Sequence, residues 1–249
     1  SPSFIIHCKV FPMNMNMQYR CVECFAPSKS LYKEYTSATV KLTSCHNCNK
    51  NVDPYVEQGC VLVILDCVLL RPSAYRHILW NMDFEMIPRI LAQYILIASI
   101  LRAYMECEFL RTLDYNRKES HVFALLIPMS IAAIFTQVVA VYFTIKNQVK
   151  MKADHRLLYR VALAVTFPVS FSLVTALVLV WENTITVQIL GRMLEFVFQF
   201  NAINVLVHDS GIYAFFVGEV ARMALATGLR HLTGIPCLGI DWKGFYTIS

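Results

Sequence analysis

The sequence predicts an α-helical integral membrane protein of about three to five spans, with a small four-cysteine zinc-ribbon domain at its N-terminus. Three observations lead there. Hydrophobic residues make up 57% of the 249 residues and charged residues only 16%, against about 25% charged in a typical soluble domain. Two C-x2-C pairs, Cys21/Cys24 and Cys45/Cys48, stand in the polar front of the chain. Behind them come long apolar stretches, more than a core of this size can absorb without lipid.

Residues 1–18, with the biased run Met13-Asn14-Met15-Asn16-Met17, read as a flexible lead-in. Residues 19–81 follow as the ribbon with an apolar or interfacial segment. Within them Cys60 to Leu70 is apolar apart from Asp66 and only 11 residues long. A helix needs about 20 residues to cross a bilayer, so this segment is a buried element of the front domain or a helix lying at the interface.

Three transmembrane helices are expected over 86–105, 121–145 and 161–181. The first has Arg89 and Arg102 near its ends, where both side chains can snorkel to the headgroups. The other two contain no Asp, Glu, Lys or Arg. Pro128 and Pro168 fall inside them, and a kink is expected at Pro168. Segments 185–207 and 212–229 carry charges: Arg192, Glu195 and Gln199 share one face, and Glu219 and Arg222 pair at i, i+3. They read either as amphipathic helices at the membrane surface or as a hairpin of two further spans with inward-facing ion pairs. Asp209-Ser210-Gly211 is the turn between them, and residues 230–249 form a tail.

The Lys and Arg of the front region and of the 146–160 loop outnumber those between the first two spans. With three spans in this register, the positive-inside rule puts the front domain and that loop in the cytosol.

The two cysteine pairs are 20 residues apart, close to the spacing of about 15 to 20 residues in a zinc ribbon. Two thiolates in one tight turn can face a single metal, and two such turns complete a tetrahedron around Zn2+. Cys21, Cys24, Cys45 and Cys48 are therefore the predicted ligands of a structural zinc. Four cysteines leave no open position for catalysis. The Tyr- and Thr-rich segment Leu31 to Leu42 suits short strands. The competing reading is a pair of disulfides or redox thiols, which the cytosolic placement disfavours. His46 reads as a solvated loop residue. The total of 9 Cys is odd, which excludes a complete disulfide framework within one chain. Cys8, Cys60, Cys67, Cys107 and Cys237 read as small apolar residues or surface thiols.

After the second knuckle come Val52-Asp53-Pro54-Tyr55-Val56-Glu57, then Leu65-Asp66 and Leu69-Leu70, then Tyr75-Arg76-His77-Ile78-Leu79-Trp80-Asn81. With the knuckles and Tyr32, this ordered set resembles the homology domain of the Arv family over about residues 19–81. Phe25, where a glycine often follows the knuckle, and Gln58-Gly59, where an acidic residue is expected, depart from the pattern. The resemblance implies a multi-span protein of the endoplasmic reticulum, and of the Golgi membrane as a further site. It implies a mediator of sterol homeostasis and sterol transport with linked effects on sphingolipids, or alternatively a scaffold for glycosylphosphatidylinositol anchor synthesis. Implied partners are membrane lipids (sterols, sphingolipids or anchor glycolipids) and lipid-synthesis enzymes.

Arg71, Arg76 and His77 lie just past an apolar segment, where they are expected to meet headgroups or a partner. Asp66, costly inside an apolar run unless paired, is expected to couple the ribbon to the first span, with Arg76 as its candidate partner. Sterol-contact patterns occur at Leu113-Asp114-Tyr115-Asn116-Arg117 and at Val139, Tyr142 and Lys146, and such patterns arise often by chance. No nucleophile motif, phosphate-cradling Gly loop or open metal position is visible, so the expectation is a non-enzyme. An Arg-rich aromatic stripe is also lacking, which argues against nucleic acid as a partner.

Overall fold

The computed structural model describes residues 19–36, 39–82, 87–112, 119–149, 155–181, 185–207 and 211–233. The chain divides into two compact units, residues 1–85 and 86–249. The lead-in, the Leu113–Arg117 pattern, Cys8, Cys237, Asp209, Ser210 and most of the tail lie outside the described residues.

The front unit is small and mostly irregular. Strands β1 (Tyr19–Arg20) and β2 (Pro27–Ser28) pair antiparallel, as do β3 (Tyr32–Thr36) and β4 (Thr39–Leu42). The β-rich reading of Leu31 to Leu42 holds as this second hairpin. A 3-10 turn follows over Pro54–Val56, started by Asp53, whose carboxylate accepts from the Tyr55 N–H.

Helix α1 (Cys60–Val68) buries Val63 and Cys67 and leaves Val61, Leu62, Ile64, Leu65 and Val68 exposed. Its end is a Schellman hook: the Arg71 N–H reaches the Asp66 carbonyl and the Leu70 N–H the Cys67 carbonyl. Leu70, at φ 56°, fills the left-handed place usually given to glycine. Short α2 (Pro72–Arg76) runs into a π-helical turn, His77–Asn81.

The second unit is a helical bundle: α3 (Ile87–Thr112), α4 (Glu119–Val149), α5 (His155–Thr166), α6 (Ser172–Trp181), α7 (Ile185–Leu206) and α8 (Gly211–Thr233). Helices α5 and α6 form one rod joined by a 3-10 stretch, Phe167–Phe171. Pro168 lies in that stretch, where its missing N–H breaks the α-helical ladder; Pro128 is accommodated inside α4.

Among the described residues, five segments are long and apolar enough to cross a membrane: Pro88–Arg111, His121–Gln148, Arg156–Leu179, Thr186–Leu206 and Gly211–Thr233. Two sequence expectations change here. The candidate span Pro88–Arg111 runs past residue 105 and puts Arg102 inside it, away from its ends. For α7 and α8, a surface-lying arrangement needs their polar side chains on an outer, wet face. Instead Glu195 pairs with Arg102 and Arg192 with Glu106 across to α3, while Gln199 and Glu219 are buried against α4. These inward contacts are the ones that the hairpin reading expects. Glycine allows close helix approach at two points. A Cβ on Gly218 would come within 2.6 Å of Val141 on α4, and one on Gly191 would overlap the Thr175 side chain on α6.

Candidate metal centre and the network behind it

Each cysteine pair is presented by the same local device. In the first knuckle the Phe25 N–H donates to the Cys21 carbonyl at 2.9 Å; in the second the Asn49 N–H donates to the Cys45 carbonyl at 3.0 Å. The residue after each second cysteine turns left-handed, Phe25 at φ 63° and Asn49 at φ 58°. Asparagine tolerates that conformation. Phenylalanine is an unusual occupant, and its ring is held by the Arg20 guanidinium 5.0 Å from its centroid and by an edge contact with Trp80.

The two knuckles bring the four Sγ atoms within 4.8 Å of one another. The Cys21 and Cys48 sulfurs are 3.7 Å apart and those of Cys24 and Cys45 3.5 Å. A disulfide needs about 2.05 Å, whereas a tetrahedron with Zn–S bonds of about 2.3 Å has sulfur–sulfur edges of about 3.8 Å. The set therefore fits a tetrahedral metal ion. Burial pushes the Cys21 thiol up to about 12. At Cys24 the burial effect is outweighed by hydrogen bonds, led by that of the Ala26 backbone, and the thiol falls to about 6.

Behind the knuckles lies a buried polar network that the sequence pattern flagged only as separate motifs. Asp53 is fully buried. Besides the Tyr55 N–H, its carboxylate meets His77 Nδ1 at 2.7 Å and the Asn81 amide at 2.7 Å. Asn81 in turn donates to the Arg20 carbonyl and accepts from the Arg20 N–H, both at 2.9 Å. Arg76 donates from one Nη to the carbonyls of Val22 and Glu23, at 2.8 and 2.7 Å, inside the first knuckle. The Tyr-Arg-His-x-Leu-x-Asn element is thus a brace on the metal site: the π-helical turn carries His77 and Asn81 to one carboxylate.

This places the remaining predicted residues. Arg76 and His77, read from sequence as headgroup contacts, have their partners inside the domain. The expected Asp66–Arg76 pair is corrected. Arg71, adjacent to the end of α1, reaches Asp66 at 3.0 Å, and the Tyr55 hydroxyl donates to Asp66 at 2.8 Å, while Arg76 is committed to the knuckle. Asp66 is therefore satisfied within the front unit. Arg71 remains largely exposed. Cys67 is buried, and burial pushes its thiol up to about 12, an inert core thiol. His46 is exposed and not among the clustered ligands.

Sequence reasoning missed Asp53 and Asn81 as a functional pair. The available signal was an Asp and an Asn in otherwise apolar surroundings, which implies mutual satisfaction.

A family model described as the Arv1-like family matches residues 20–206, from the first knuckle to the end of α7. The chain belongs to the Arv1-like family. Curated relatives named Protein ARV1 include a human protein, 44% identical over 64 residues that make up 26% of this chain and 24% of the relative. A bovine one is 38% identical over 85 residues, 34% of this chain and 30% of that protein. The Protein arv1 homolog of Dictyostelium discoideum is 35% identical over 105 residues, 41% and 42% of the two lengths. The matched parts thus span less than half of these relatives. No solved structure matches this member of the Arv1-like family.

Proposed function

We propose that this chain is a non-enzymatic factor of the endoplasmic reticulum membrane that keeps membrane lipids, sterols and sphingolipids among them, distributed between membranes. The observation that carries the reading is family membership over most of the chain, together with a metal-fit domain and, among the described residues, five helical segments of membrane-crossing length. Cys21, Cys24, Cys45 and Cys48 hold a structural Zn2+, which supplies folding energy to a domain whose own apolar core is small. With five spans, the front domain faces the cytosol and the end of α8 the lumen. Arg71 is an exposed cation of the front domain, offered to anionic headgroups.

The deciding experiment reconstitutes the full chain into phosphatidylcholine vesicles containing a fluorescent sterol or a labelled glycolipid. Movement of either between leaflets or between vesicles is then followed with and without protein. Accelerated movement is the expected result. Unchanged movement of both lipids would sink the carrier reading and favour a scaffold for lipid-synthesis enzymes such as those making glycosylphosphatidylinositol anchors.

A further inference from the structure

The bundle carries a band of ionisable side chains at the middle of its spans. Arg222 is the central residue of Gly211–Thr233, and Glu195 is one residue from the centre of Thr186–Leu206. Arg102 and Gln137 each lie within about 4 Å, along the helix axis, of the centres of Pro88–Arg111 and His121–Gln148. Charges at that depth are costly and mark a site by default.

The groups are organised as one network. Arg102 donates to Glu195 at 2.6 Å and Arg192 to Glu106 at 2.7 Å, a reciprocal double bridge between α3 and α7. Arg222 donates to Glu219 at 2.7 Å, and Glu219 also accepts from Gln137, which is bonded to Gln199. Glu195 and Gln199 are one turn apart on α7, which links the two halves.

The network is not closed. Arg102 is only 8% exposed, yet its Nε and Nη1 have no hydrogen-bond partner among the described residues, and neither does the Gln137 Oε1. A guanidinium has five N–H donors and no acceptor, and in the middle of a bilayer no water stands by to meet the surplus. The surplus donors on a cation call for an anionic, acceptor-rich group, and the leftover carbonyl for a hydroxyl. A sterol, with one hydroxyl, does not meet the demand on Arg102. A phosphate ester does, through charge-assisted bonds to guanidinium.

We propose that Arg102, supported by Glu195 and the Gln137–Glu219–Arg222 group, anchors a mid-span site for the phosphate of a lipid headgroup. The proposal rests on the lipid-distribution reading above and narrows its substrate class to phosphate-bearing lipids. Such a site gives a headgroup a polar resting place where the bilayer otherwise offers none.

The test uses the full chain in phosphatidylcholine vesicles doped with a phosphatidic acid that carries a diazirine beside the glycerol. Photolysis marks the depth that the headgroup reaches. Mid-span peptides of α3 and α7 should be labelled along with the span ends. The ratio of mid-span to end labelling should fall about tenfold in Arg102→Gln and in Arg102→Lys, the loss of one or two charge-assisted bonds. Arg102→Lys keeps a cation opposite Glu195, so a folded bundle with unchanged metal content guards against simple misfolding. Labelling confined to span ends, or Arg102→Lys labelled as the unaltered chain, would overturn the proposal. So would displacement by inorganic phosphate in the buffer, which would assign the site to a free anion. A photoreactive sterol run in parallel separates the two readings. Sterol movement that persists with no phosphatidic acid labelling would defeat the site and leave the lipid-distribution reading standing.

Discussion

In the front domain Asp53 is fully buried, and its carboxylate meets a backbone N–H, an imidazole and an amide. In the bundle Arg102 is almost as buried, and its guanidinium hydrogen-bonds to Glu195 while two of its nitrogens are left unmet among the described residues. In the front domain the Nε atoms of Arg20 and Arg76 are likewise unmet among the described residues, but both guanidiniums lie over the Phe25 ring, which offsets a missing acceptor by cation–π attraction. The contrast follows from what holds each region together. The front domain's small cluster of Cys21, Leu31, Cys45 and Val52 contains two of the four metal-fit cysteines. Core and metal site are one there, so an unmet charge would destabilise both at once. The bundle buries apolar helix faces against one another over long apolar segments, and it holds together around an incomplete polar band. A buried charge with a full set of partners is a structural brace; one that keeps free donors in a span is where a ligand is to be sought.

The sharpest way to break this comparison is at the metal site. Cys45→Ser should abolish metal binding and unfold the front domain, because a structural zinc contributes roughly 10 to 16 kcal/mol. The helices should stay inserted. Metal content by mass spectrometry and protease resistance of residues 19–82 check the first half, and carbonate extraction the second. A variant that keeps full metal content would undo the four-cysteine assignment.

Next comes the brace. Asp53→Ala strands His77 and the Asn81 amide in a buried place and should cost about 3 kcal/mol. It should appear as earlier proteolysis of the front domain at unchanged bundle stability. If both units weakened equally, the two regions would not be energetically separate.

Within the bundle, Gly218→Ala puts a methyl group 2.6 Å from Val141 and should cost about 1 to 3 kcal/mol in detergent melting. Gly228→Ala, with open space around the new Cβ, should be neutral or slightly stabilising. Equal losses from both would show that α4 and α8 do not approach as closely as described.

The smallest effect belongs to Arg71→Ala. Its bridge to Asp66 is exposed on the arginine side, and the front domain should lose less than about 1 kcal/mol. Binding of the full chain's front domain to anionic headgroups, read by protection of Arg71-adjacent peptides in phosphatidylserine-containing vesicles, should fall more noticeably.

Much of this was written in local pattern. The knuckle spacing pointed to the metal site because two residues between cysteines suffice to aim both thiols at one point. The charge-free runs marked the second and third spans because length and hydropathy are properties of a segment alone. Pro168 announced the break between α5 and α6 for the same reason, since a missing N–H acts on its own helix. The strands around Leu31 to Leu42 followed from alternation.

Pairing across distance could not be read in that way. Asp66 took Arg71 and not Arg76 because the Schellman hook at Leu70 turns the chain back beside Asp66, and Arg76 was claimed by the carbonyls of Val22 and Glu23. The inward pairing of Arg192 and Glu195 on α7 depended on residues 86 to 93 positions away in the chain, which no periodicity reports. The sequence by itself determined which segments carry metal-fit cysteines, are apolar or are broken, because those properties reside in a few consecutive residues. Only the tertiary structure decided which charges meet and which donors are left over, because a buried charge is satisfied by whatever the fold carries to it.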